Sequence, residues 1–258
     1  MTIEGLLLDI DGVLAVSWQP LPGAVETIGR FREDGPPFRL VTNTTTKTRA
    51  DLGGTLRDAG FDFADDEIIT AVVATAGYLR AAHPGKKAFV LSDGDATADL
   101  GDIELVDVDD ADVIVLGGAY DGFAYQVVNR IFRRLMDGAA LVGMHRNLYW
   151  KTDEGWELDA GAYIAALEEA SGVTATICGK PGPAYFDAAL EMLGTTRGRA
   201  AMVGDDVVND VLGAQSVGLT GVLVRTGKYR PGDEERNETR PDHVVGSIAD
   251  VPDLIASG

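Results

Sequence analysis

The chain has a single cysteine, Cys178, among 258 residues, which excludes an internal disulfide and agrees with a reducing compartment. Nowhere does it stay apolar for long: a stretch such as Val113 to Leu116 is far short of the roughly 20 residues that a membrane-spanning helix needs. The N-terminus lacks the basic, apolar and small-residue succession of a signal peptide, so a cytoplasmic location is the expectation. Basic residues are scarce. Against 41 Asp and Glu stand 22 Lys and Arg, and the formal charge of -19 makes a field that repels nucleic acid and anionic lipid. No tract is of low complexity, and no repeat occurs at solenoid or propeller spacing. What is present is 45% hydrophobic and 24% charged residues, ordinary for a globular protein, on a length that suits one large α/β domain or a core with a smaller one inserted.

The opening "IEGLLLDIDGV" is a short apolar run ending in acidic and glycine residues, the pattern of a buried parallel strand with chemistry at its C-terminal end. "FRLVTNT", "AAMVGDD" and "TGVLVRTG" repeat it, with amphipathic helical stretches between them. Such alternation predicts a doubly wound, Rossmann-like parallel sheet, in which ligands bind at the carboxyl ends of strands near a topological switch point. The interval between Asn43 and Lys180, about 135 residues, carries a second set of strand and helix signals and is long enough for an inserted α/β domain. The expected division is a core of residues 1–74 and 179–258 and a cap of residues 75–178. Cap strands are predicted near 88–91, 112–116 and 140–142, with helices near 123–136 and 159–170.

Asp9 and Asp11 stand two apart at the end of the first run, so both carboxylates project from one face if the strand continues. Two like charges so close call for a divalent cation, and hard oxygen ligands with retained waters suit Mg2+, which also screens the phosphate that an anionic nucleophile must approach. Gly12 permits the sharp turn that brings backbone N–H groups toward a phosphate oxygen. Taken alone, the same string is equally a turn with solvated carboxylates. Thr42 and Asn43 offer a hydroxyl and an amide that can hold phosphate oxygens without adding charge, or else form a turn and cap before the next helical stretch. In "GKPGPAYF", Lys180 is fixed between a glycine and a proline, where one ammonium can neutralise both a nucleophile and a transferring phosphoryl group; the plainer reading is a helix-start turn. "MVGDDVVND" supplies Asp205 as a metal ligand at a strand end, Asp210 to orient water on the metal or Lys180, and Asp206 as a water-mediated ligand or a helix starter.

Taken in order, "DIDGVL", "VTNT", "GKP" and "GDDVVND" resemble the four motifs of the haloacid dehalogenase (HAD) superfamily, specifically its branch with a large C2-type cap between the second and third motifs, subfamily IIA. The likeness continues through "FAYQVVNRIFRRLMDG", "YWKTDEGWELDAGAYIAALEEASG" and "VRTGKYRPGDEE", and so covers most of the chain. It implies a Mg2+-dependent phosphatase acting on a small phosphorylated metabolite. By position, Asp9 attacks phosphorus in line and becomes a transient aspartyl phosphate, with its other oxygen on Mg2+. Asp11 protonates the leaving oxygen, later deprotonates water, and touches the metal through its backbone carbonyl. Thr42, Asn43 and Lys180 bind the phosphoryl group, and Asp205 completes the protein ligands of the metal. Some similar members carry serine in place of Asp11; the full acid/base residue here favours ester hydrolysis over cleavage of a P–N bond. Members of the branch often dimerise through the cap, so the resemblance allows a homodimer.

Two readings of other classes compete. A receiver-like phosphoacceptor shares the acidic site, the hydroxyl and the lysine, but needs neither the second carboxylate of the DxD string nor the large insertion. A non-catalytic phosphometabolite-binding protein would not need every polar catalytic position. Within the insertion, His145 is expected at the surface or in packing, and Tyr149, Trp150 and Trp156 in the cap core, with the loop from Leu158 to Ala162 as the candidate substrate contact.

Overall fold

The computed structural model describes residues 3–152 and 155–256. Its first strand, β1 (Gly5–Asp9), is buried at every position, as expected of a strand covered on both faces. A tight hairpin follows, β2 (Ala15–Val16) and β3 (Gln19–Pro20), and then α1 (Ala24–Asp34), which turns Ala24, Thr27, Ile28 and Phe31 inward at helical spacing. Next come β4 (Phe38–Thr42), α2 (Arg49–Asp58) and β5 (Ile68–Thr70). The chain continues through α3 (Ala71–Ala82), β6 (Ala88–Leu91), β7 (Val113–Leu116), α4 (Tyr125–Met136) and β8 (Ala140–Gly143). It then forms the hairpin β9 (Tyr149–Thr152) and β10 (Gly155–Leu158), followed by α5 (Ala160–Ser171) and β11 (Thr176–Ile177). The last stretch holds α6 (Pro183–Leu193), β12 (Ala200–Gly204), α7 (Gly213–Ser216), β13 (Thr220–Val224), β14 (His243–Val245) and α8 (Val251–Ala256). Among the described residues no helix is long and apolar enough to cross a membrane.

The chain divides into two compact units, Met1–Thr42 with Arg49–Ile69 and Tyr185–Gly258, and Asn43–Thr48 with Thr70–Ala184. The first is built on a six-stranded sheet of order β14-β13-β12-β1-β4-β5. β1 pairs in parallel with β12 on one side and β4 on the other. The chain winds outward from β1 in both directions, so the order reverses between β1 and β12, and the register Leu8↔Val203 brings Asp9 and Asp205 to the same sheet edge. The second unit has its own parallel sheet, β11-β8-β7-β6, covered by α4 and α5 through a core that includes Ile114, Leu116, Ile131, Leu135, Leu141 and Ile164. A doubly wound α/β core is thus the fold, as the alternation predicts.

Sequence pattern misses β2, β3, β5, β11 and β14, which have two or three residues and are too short to show a period, and the hairpin strands β9 and β10, of four residues each. The helix expected from 123 begins at Tyr125, after a tight turn over Tyr120–Phe123. Tyr149, expected in the cap core, is 59% exposed, because it sits on a two-stranded ribbon rather than in the four-stranded sheet. The side chains of Trp150 and Trp156 lie outside the described residues.

Tyr185 ties the strand ends of the first unit together. Fully buried, its hydroxyl accepts the Thr42 N–H at 2.9 Å and donates to the Ile69 carbonyl at 2.6 Å, so one phenol joins the ends of β4 and β5. Removing it leaves two buried backbone groups without that partner. Tyr185→Phe is therefore expected to lower unfolding free energy by about 1–3 kcal/mol, seen as a lower urea midpoint with an unchanged slope. A midpoint equal to that of the parent protein would mean that other groups satisfy Thr42 and Ile69.

Candidate active site

Strand β1 does not continue to Asp11, which corrects the picture of two carboxylates on one strand face. Asp9 is its last residue; the carbonyl of Ile10 then accepts the N–H groups of Val13, Leu14 and Ala15 at 3.3, 2.9 and 3.2 Å, and Gly12 turns with φ 81°. Asp9 is buried, with 6% exposure, whereas Asp11 is exposed.

Across the switch point, β12 ends at Gly204 and delivers Asp205. Its Oδ2 accepts the backbone N–H of Lys228 at 2.6 Å. Two glycines make room for that oxygen: a Cβ on Gly12 would lie 1.9 Å from it, and one on Gly227 2.0 Å. The hydroxyl of Thr226 donates to the Gly12 carbonyl at 2.5 Å and so closes the loop after β13 onto the turn after β1. Among the described residues the other oxygen of Asp205, Oδ1, has no hydrogen-bond partner, and it is buried.

Asp206 caps the wide π-helical turn Val207–Leu212, accepting the N–H groups of Val208 and Asn209 at 3.1 and 3.0 Å and the Asn209 side-chain amide at 2.9 Å. Of its two expected parts, helix starter is the one visible here. Asp210 lies one turn on and reaches back beside Gly204, where a Cβ would stand 2.2 Å from its own. Asp9, Asp205 and Asp210 all offer carboxylate oxygens within 4.8 Å of one another, and all three are buried.

Three buried carboxylates repel one another and lose their hydration, so the group is expensive unless a cation joins it. The strain shows in the acid itself: burial first, and then the charge of Asp210, push the Asp205 carboxyl from the usual 3.8 up to about 7, with Lys228 pulling the other way. The Lys228 ammonium is drawn down by its surroundings and raised by Asp206, Asp205, Asp210 and Asp9, with a net rise above the usual lysine value. It stands 3.7 Å from Asp206 with 62% of its side chain exposed, so water screens this attraction and it does not substitute for a buried cation. An all-oxygen donor set with an orphaned Asp205 Oδ1 fits a hard divalent cation.

A pH signature follows. The metal-free folded protein keeps a proton on Asp205 that the unfolded chain releases between 3.8 and about 7, so this group makes folding less favourable as pH rises through that window. A divalent cation bound to the trio would replace the proton. The gain in thermal midpoint on adding Mg2+ is expected to be small near about pH 5 and to grow through about pH 8. A gain that stayed level over this range would show that Asp205 is ionised without metal.

In the second unit, Lys180 is buried at 2% exposure in the turn before α6. The Asn43 side chain meets its backbone at both ends, with Oδ1 accepting the Lys180 N–H at 2.8 Å and Nδ2 donating to the Lys180 carbonyl at 2.9 Å. Nearby loops pin the rest of that segment: the Thr45 hydroxyl accepts the Gly118 N–H at 3.0 Å, and the Thr45 carbonyl accepts the Ser92 hydroxyl at 3.0 Å. His145 is packed inside, with 3% exposure; its Nδ1 accepts the Asn147 N–H at 3.3 Å and its Nε2 lies 3.7 Å from Asp159, the residue that caps α5. Thr226, Gly227, Lys228 and Tyr185 are the site neighbours that sequence reasoning passes over. The glycine just after the "TGVLV" strand was the available signal for the first three.

Residues 6–105 match the family model described as haloacid dehalogenase-like hydrolase, and residues 177–251 match that described as HAD-hydrolase-like. The chain belongs to the haloacid dehalogenase-like hydrolases, in subfamily IIA, and is an enzyme of their phosphatase class. It is 37% identical to the phospholysine phosphohistidine inorganic pyrophosphate phosphatase of Rattus norvegicus, over 98% of this chain and 94% of that one. Its identity to haloacid dehalogenase-like hydrolase domain-containing protein 2 of Homo sapiens is 38%, over 93% of this chain and 90% of the other. Among solved structures it is similar to the p-nitrophenyl phosphatase from Archaeoglobus fulgidus, with TM-score 0.92, 28% identity and coverage of 98% and 100%. NagD from E. coli K-12 gives TM-score 0.86 and 28% identity, with coverage of 96% and 98%.

Proposed function

We propose that this chain is a Mg2+-dependent phosphatase that hydrolyses a small-molecule phosphate ester through an aspartyl phosphate on Asp9, with residues 75–178 as its cap. The observation that carries the reading is the buried trio Asp9, Asp205 and Asp210 with an Asp205 oxygen that has no hydrogen-bond partner among the described residues. Asp9 and Asp205, the Asp11 backbone carbonyl and, from its place in the trio, Asp210 would hold the ion. When bound, Mg2+ supplies positive charge that offsets the phosphoryl oxygens and lets an anionic nucleophile approach.

The chain's own groups then divide the work. A carboxylate oxygen of Asp9 forms a bond to phosphorus while the ester P–O bond breaks, and Asp11 gives its proton to the departing oxygen. Asp11, now a carboxylate, takes a proton from water; the water oxygen bonds to phosphorus, the acyl-phosphate P–O bond breaks, and Asp9 and inorganic phosphate are restored. The exposure of Asp11 suits a residue that must meet a leaving group and then water. Thr42 and Lys180 hold the phosphoryl oxygens, with Asn43 beside them, while Gly12 keeps the turn open and Asp206 starts the helix that presents Asp210.

Phosphate release from an aryl phosphate tests the reading, with Mg2+ or EDTA and with Asp9→Asn. Turnover that needs both metal and Asp9 is the expected result. A stable phosphorylated protein without turnover would instead favour the phosphoacceptor reading. Pyrophosphate and phosphoamino acids belong in the second panel because a relative's name includes them.

A further inference from the structure

A side-chain amide carries an acceptor at one end and donors at the other, and in Asn43 both ends go to one residue. Oδ1 takes the Lys180 N–H at 2.8 Å and Nδ2 gives to the Lys180 carbonyl at 2.9 Å, across 137 positions of sequence. The side chain does for Lys180 what a neighbouring peptide group does in a β-ladder. Gly179 tightens the arrangement: a Cβ there would stand 2.2 Å from the Met144 carbonyl oxygen and 2.7 Å from Asn43 Oδ1. A flipped amide would set donor against donor and acceptor against acceptor, so the pairing also selects one orientation of the Asn43 side chain.

An ammonium on a flexible four-carbon stem is positioned only as well as the backbone that carries it. Here the stem is buried and both peptide groups of Lys180 are held by one amide. We infer that Asn43 is a positioning residue that sets the Lys180 ammonium for the phosphoryl group, rather than chiefly a phosphate ligand itself, an inference that rests on the phosphatase reading above. The amide keeps spare bonding capacity after both contacts, but its plane is committed to the Lys180 backbone. On this inference the effect of Asn43 on phosphate passes through the lysine.

A double-mutant cycle separates the two roles, read on binding of inorganic phosphate with Mg2+ present and on turnover of an aryl phosphate. The variants are Asn43→Ala, Lys180→Met, which keeps a long apolar stem, and the pair. Asn43→Ala alone is expected to weaken phosphate binding and kcat/KM by roughly 10–100-fold, but by less than about 2-fold once Lys180 is Met. Thermal midpoints check that each variant is folded, and Asn43→Ser, small enough to admit water to both Lys180 groups, replaces Asn43→Ala if that variant does not fold. The same loss in both backgrounds, in an active parent enzyme, overturns the positioning role and makes Asn43 a ligand in its own right. A parent with neither Mg2+-dependent turnover nor phosphate binding removes the phosphatase reading first, and the positioning role with it.

Discussion

Asp9→Asn is expected to reduce Mg2+-dependent phosphate release by on the order of 10^4-fold or more, since an amide neither attacks phosphorus nor offers the same charge to a cation. The structure adds a second, opposite effect. Asp9 is one of three buried carboxylates within 4.8 Å, so removing its charge relieves repulsion in the metal-free protein. The thermal midpoint without metal is expected to rise while the further gain on adding Mg2+ shrinks. Loss of activity alone would fit any nucleophile; the crossed behaviour of the two midpoints is specific to a residue shared between nucleophile and metal site. A variant that stayed active, or one whose metal-free midpoint fell, would remove Asp9 from one of these roles.

Gly227→Ala is the other large expected effect, and it replaces no catalytic side chain. The new Cβ would lie 2.0 Å from Asp205 Oδ2 and 2.4 Å from the Gly12 Cα, and the glycine's φ of 61° is one that L side chains rarely adopt. Neither obstacle is a flexible chain end. The left-handed backbone costs about 1–2 kcal/mol and the overlap about 1–3 kcal/mol more, so a destabilisation of roughly 2–5 kcal/mol is expected. Because the loop also presents the Lys228 N–H to Asp205, Mg2+ affinity is expected to fall about 10–100-fold. Gly232→Ala is the control: its φ is 89° but nothing stands within 4 Å of a Cβ there, so it should show the backbone cost only and leave metal affinity unchanged. Equal behaviour of the two variants would mean that the loop after β13 does not support Asp205.

Much of the sheet was legible because its inner strands are long enough to show a pattern. Residues 5–9, 38–42, 200–204 and 220–224 are runs of five, and four of these runs end in or beside polar residues at the same sheet edge. The strands that escaped notice have two to four residues, and their pairing partners, not their composition, make them strands. Asp9 and Asp205 stood out as strand-end acids. Asp210 did not stand out as their equal, because only the turn that brings it back beside Gly204 carries it into the group. Asn43 showed a similar limit: an amide next to Thr42 suggests a phosphate contact, and nothing local reveals that its two ends meet the backbone of Lys180.

By itself, then, the order of residues determined the α/β class and the strand ends at which Asp9 and Asp205 stand, since burial of apolar runs and the placement of polar groups at strand ends are local consequences of composition and period. Tertiary structure alone decided which acids share a cation-sized space, which glycines must stay bare around Asp205, and which side chain holds Lys180. Those outcomes depend on contacts between segments far apart in the chain, where packing and buried hydrogen bonds set the geometry and no repeat or spacing in the sequence records it.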